Sequence, residues 1–159
     1  MMSDLNSASL TQDEKVMAAL SHITILVPMI GVVAPVIIWA TQKDKSRYVA
    51  FQSLQAVAYQ ITLILAGFIG MGCYMFSFIA AIVPLSVSSG SSQQPGGFEG
   101  LFAFIPFLIF GAYFIGGFLF IVYGLIGAVM AFQGKPFRYI LIGKAVERFM
   151  QSKQNETAA

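Results

Sequence analysis

The stretch ITLILAGFIGMGCYMFSFIAAIV, residues 61–83, decides the fold class. It holds no Asp, Glu, Lys or Arg, and the uncharged region around it reaches from Tyr48 to Phe98. Residues 16–42 and 100–134 are equally free of charge. A small water-soluble domain cannot hide three such segments, so the relevant solvent is the bilayer. Composition agrees: 57% of residues are hydrophobic and 10% charged, against about 25% charged in a typical soluble domain.

The nine basic residues are scattered and the net charge is +2, which gives no footprint for nucleic acid. Cys73 is the lone cysteine and His22 the lone histidine, so no intrachain disulfide and no metal-ligand spacing can be assembled. Nor does the chain offer a Ser-His-Asp set or a paired-carboxylate arrangement. The expectation is a non-enzymatic protein with no catalytic residues, no metal and no cofactor. The polar, slightly acidic start MMSDLNSASLTQDEK lacks the basic, then apolar, pattern of a secretory signal and is expected to be retained.

Working outward, Thr11 and Glu14 have the spacing of a capping box, which predicts a helix from about Gln12. The apolar run from Val16 to Ala40 is broken by Pro28, Gly31 and Pro35. Each half is shorter than the roughly 20 residues a crossing needs, so a kinked single span and a shallow hairpin are both open. The charged turn QKDKSR, 42–47, ends this first membrane segment. A long helix then runs from about 47 to 84, polar at first (Gln52, Ser53, Gln55, Gln60) and then apolar. Its length, roughly 55 Å, exceeds a hydrocarbon core of about 30 Å. Residues 87–100, rich in Gly, Ser and Pro, read as a connecting loop.

The next apolar helix, about 100–133, stops at Gln133-Gly134-Lys135-Pro136, a glycine cap followed by a helix breaker. Residues 137–151 read as an amphipathic interfacial helix, with Tyr139, Ile142, Val146 and Phe149 on one face and Lys144 and Arg148 opposite. Residues 152–159 read as a disordered tail, and 1–12 as a polar N-terminal tail to a single membrane domain, 13–151.

Basic residues cluster at 43–47 and 135–148 and are missing from 87–100, which puts the first two segments and the C-terminus in the cytoplasm and the loop outside. His22 reads as interhelical glue bonded to a carbonyl or to Gln52 or Gln55, because a proton relay lacks a second buried titratable partner. Gln52, Gln55 and Gln60 point to the bundle interior, as packing bonds or as the lining of a polar path. Small residues recur at four-residue spacing (Ala66 with Gly70, Ala112 with Gly116, Gly124 with Ala128), a pattern that lets helices approach within the chain or in a homo-oligomer.

Three passages carry a resemblance: LSHITILVPMIGVVAPVIIWATQKDKS (20–46), SRYVAFQSLQAV (46–57) and FIVYGLIGAVMAFQGKPF (120–137). Through Ser46, Arg47, Tyr48, Phe51 and Gln55, then Tyr123 and Gly124, then Gly134, Lys135 and Pro136, the chain resembles the twenty-kilodalton inner-envelope subunit of the chloroplast protein import translocon. It looks most like that family's small prokaryotic members. The resemblance implies four membrane helices, the first two a short hairpin, in a multi-pass protein of the prokaryotic plasma membrane. It also implies a translocon-like channel or accessory role with a membrane-protein partner. The alternatives are a small ion or solute transporter using His22 and the glutamines, and a structural partner of a larger membrane complex.

Overall fold

The computed structural model describes residues 10–27, 29–88, 104–140 and 142–158. The chain is all-helical: five α-helices and no strand among the described residues. The predicted loop at 87–100 lies almost wholly outside them.

Helix α1, Gln12–Ile23, opens on a reciprocal cap. The Glu14 N–H donates to Thr11 Oγ1 at 3.3 Å and the Thr11 N–H donates to Glu14 Oε2 at 2.8 Å, so two orphan donors of the first turn are satisfied. The Ser46 hydroxyl and the Thr11 N–H both donate to Glu14 and hold its carboxyl below the usual carboxylate range, against a smaller opposing effect of burial. A short 3-10 turn, Thr24–Leu26, follows, and α2, Val33–Gln42, packs back on α1. Gly31 makes the reversal feasible: a Cβ there would lie 2.0 Å from the Thr24 carbonyl oxygen and 2.5 Å from that of Val27.

Helix α3, Arg47–Ser88, and α4, Ile105–Phe132, are the two helices long and apolar enough to cross a bilayer. With 12 residues in α1 and 10 in α2, neither reaches the roughly 20 a crossing needs. Of the four membrane helices expected, two are candidate spans and the other two are too short to cross.

α4 ends in a Schellman turn: the Lys135 N–H donates to the Met130 carbonyl at 3.0 Å and the Gly134 N–H to that of Ala131 at 2.9 Å. Gly134 sits at φ 72°, the left-handed conformation that favours glycine.

The C-terminal part departs from the sequence expectation. Residues 135–139 are not helical, and α5 spans Ile142–Ala158 rather than 137–151. Pro136 biases Lys135 away from helix. Along this non-helical stretch burial alternates: Phe137 and Tyr139 are buried while Arg138 and Ile140 are exposed. Burial of two aromatic rings outweighs one further turn of helix. At the other end, residues 152–158 continue α5 because they contain neither Gly nor Pro, and extending a formed helix costs little.

The chain divides into two compact units. One comprises the residues up to Ile64 and from Phe120 onward, the other Leu65–Leu119. The core of the first has two clusters. Ala18, Ala19, Tyr48, Val49 and Ala131 form one, and Ile25, Tyr59, Phe137 and Tyr139 the other. Every charged side chain among the described residues belongs to this unit. In the second unit Tyr113 lies over Gly70 and the ring of Tyr74 packs on Phe110 at 5.2 Å. Its outward side chains are large and apolar: Phe76 is 76% exposed, Leu108 71% and Phe107 70%. A continuous surface of that kind suits lipid, not water.

Candidate functional site: a buried polar ring

The polar residues singled out in the sequence meet in the first unit. α1 supplies Ser21 and His22, α3 supplies Gln52, Ser53, Gln55 and Gln60, and the non-helical segment 135–139 supplies Phe137 and Tyr139. Ser21, His22, Gln52, Ser53 and Gln55 are at most 1% exposed, which in a helical bundle demands that each find a partner.

The hydrogen bonds assign themselves. The Tyr139 backbone N–H donates to Gln55 Oε1 at 3.1 Å, so Nε2 of Gln55 is the donor that reaches the Phe137 carbonyl at 3.0 Å and Gln52 Oε1 at 3.4 Å. Gln52 Nε2 also donates to the Phe137 carbonyl, at 3.3 Å, leaving Gln52 Oε1 to accept from His22 Nε2 at 3.1 Å. With its proton on Nε2, His22 presents a lone pair at Nδ1, and the Tyr139 hydroxyl donates to it at 3.0 Å. The ring closes on Tyr139, entering by its backbone and leaving by its phenol. In its neutral form His22 is therefore held as the Nε2–H tautomer.

Three further bonds join α3 to α1 and the 3-10 turn. Ser21 Oγ donates to the Met17 carbonyl at 3.0 Å, so at 2.9 Å it accepts from Ser53 Oγ. Gln60 Nε2 donates to Thr24 Oγ1 at 3.1 Å and to the Ser21 carbonyl at 3.3 Å. Aromatic rings seal the site: Tyr59 stacks on Tyr139 at 4.0 Å, and Tyr123 meets Tyr139 edge-on at 5.2 Å. Every buried side-chain nitrogen and oxygen among the described residues has a partner.

The remaining motif residues build the same unit. Ser46 and Phe51 are buried, and the Tyr48 hydroxyl donates to the carbonyls of Ala131 (3.1 Å) and Lys135 (3.3 Å). A Cβ on Gly124 would lie 2.6 Å from Ile25 Cδ1, so glycine lets the 3-10 turn after α1 close on α4. Arg47, Lys135 and Pro136 are exposed. Among the described residues no group of three His, Cys, Asp or Glu could hold a metal. Sequence reasoning missed Tyr139 as a partner of His22, having placed it on a helix face. The alternation Phe137-Arg138-Tyr139-Ile140 after a proline was the available signal.

A family model for the magnetosome magnetite crystal formation proteins (MamF/MmsF) matches residues 13–146. The chain belongs to that family. The match takes in all three passages that carried the resemblance to the chloroplast translocon subunit, and it overturns that assignment. Tyr48, Gln55, Tyr123, Gly124 and Gly134 serve the packing of a small polar-bonded membrane bundle, a demand that unrelated bundles share. They are therefore poor markers of a translocon. Membership links the chain to the magnetosome, where the sequence had pointed to a generic plasma membrane. No curated protein and no solved structure matches the chain.

Proposed function

We propose that this chain is a non-catalytic integral protein of the magnetosome membrane that acts in magnetite crystal formation as a structural component. The family match over residues 13–146 carries this reading. In this arrangement α3 and α4 cross the bilayer. The α1–α2 hairpin dips into one leaflet, and Lys43, Lys45, Lys135 and the C-terminus face the cytoplasm. The 87–100 segment faces the vesicle lumen.

The closed hydrogen-bond ring supports a structural role for His22 and the glutamines. A polar path for ions needs groups free to exchange partners, and here both amide atoms of Gln52 and Gln55 and both ring nitrogens of His22 are hydrogen-bonded within the fold. The exposed apolar faces of residues 65–83 and 105–119 are where a second copy or another membrane protein would pack.

The test is deletion of the gene in a magnetite-forming host. The account expects membrane vesicles to persist while the size or number of magnetite crystals changes, as measured by electron microscopy. Crystals of unaltered number and dimensions would overturn it.

A further inference from the structure

We infer that the charged end of the first unit is a selective surface for anionic phospholipid headgroups. The inference rests on the membrane reading above. Three contacts bring the start of α1, the start of α3 and the end of α4 together: Ser46 with Glu14, the Tyr48 hydroxyl with the Ala131 and Lys135 carbonyls, and the Lys15 side chain across Gly134. The turn 43–47 leads into the same place. It carries Lys43, Lys45 and Arg47 against the single carboxylate Asp44. Lys43, Lys45 and Lys135 are exposed, as are Lys144 and Arg148 on α5.

Two observations say what covers these cations. The Lys43 ammonium lies 6.0 Å from the centre of the half-buried Trp39 ring, and tryptophan beside lysine is the pairing that settles at headgroup depth. Directly before it, Val36 and Ile37 are exposed at 42% and 56%, apolar surface that water disfavours and acyl chains accept. A surface that is cationic at its rim and apolar just inside complements an anionic lipid, phosphate outward and chains inward. A soluble acidic partner would leave the apolar rim unsatisfied.

Trp39 is the only tryptophan in the chain, so its fluorescence reads this surface alone. The full-length protein would be reconstituted in phosphatidylcholine vesicles with a fixed fraction of either brominated phosphatidylglycerol or brominated phosphatidylcholine, and quenching compared. We expect phosphatidylglycerol to be enriched around Trp39 by about threefold or more. The enrichment should collapse in about 1 M salt, where screening reaches only ~3 Å. It should fall at least by half in Lys43→Gln/Lys45→Gln.

Taking the ratio of the two lipids cancels any change that the substitution makes to Trp39 emission. If the double variant fails to fold, the salt titration of the unmodified protein still decides. Equal quenching by the two lipids at low salt would overturn the anionic preference and leave the membrane reading standing. Quenching by neither would overturn the membrane placement of Trp39 itself.

Discussion

Replacing His22 by Leu and Tyr139 by Phe, singly and together, tests the ring at its closing bond. Tyr139→Phe keeps the stacked ring on Tyr59 but removes the hydroxyl, leaving His22 Nδ1 a buried acceptor with no donor. His22→Leu removes the acceptor of the Tyr139 hydroxyl and one of the two donors to Gln52 Oε1. Stranding a buried polar group costs about 1–3 kcal/mol, whereas the double variant strands no hydroxyl and no imidazole. The double variant should therefore be less destabilised than the sum of the singles, by about 1 kcal/mol. Hydrogen bonds between membrane helices average about 0.6 kcal/mol in double-mutant cycles and reach about 1.7 kcal/mol, a range that contains the expected value. Reversible unfolding in mixed micelles, followed by circular dichroism, gives all four stabilities. Additivity within about 0.3 kcal/mol would refute the direct His22–Tyr139 bond.

Other substitutions separate packing from open surface. Gly31→Ala should destabilise strongly, by more than about 3 kcal/mol, since the new Cβ meets two carbonyl oxygens. Gly72→Ala, with nothing within 4 Å of the added carbon, should be neutral or stabilising by up to about 1 kcal/mol in the same unfolding assay. Because Glu14 is held below the usual carboxylate range, its cap contributes fully above the unfolded carboxyl value and is lost as pH falls through the lowered one. Hydrogen exchange of the α1 N-terminus should accordingly accelerate in acid, and a Glu14→Gln variant should show a weaker acid response. On a Cys73→Ser background, a cysteine at Ser91 should react with impermeant thiol reagent from the side opposite to one at Ser46. Reaction of both from the same side would refute the assigned topology.

The helical class was legible because an uncharged run such as 61–83 admits few alternatives. The end of α4 was legible too, since Gly134 followed by Pro136 specifies a stop through local backbone preferences alone. The Phe137–Tyr139 insertion was not, because helical spacing also placed Tyr139 with Ile142 and Val146 on one face. Only tertiary contacts with α1, α3 and α4 reward the non-helical alternative. The glutamines at 52 and 55 could be read as inward-facing, yet their partner, a backbone carbonyl 82 residues beyond Gln55, leaves no mark in sequence spacing. Family identity was misread for a related reason: residues conserving a bundle's close packing are not specific to what the bundle does.

The central claim is that His22 works by holding the fold rather than by carrying a proton. It is tested most directly in a deletion strain of a magnetite-forming host complemented with the unmodified protein, His22→Gln or His22→Leu at matched membrane levels, with crystal dimensions measured by electron microscopy. An amide can both donate to Gln52 and accept from Tyr139, so His22→Gln should restore crystal size and His22→Leu should fall short. Failure of a folded, membrane-inserted His22→Gln variant would contradict the account, because only the chemistry of the imidazole would then have been lost.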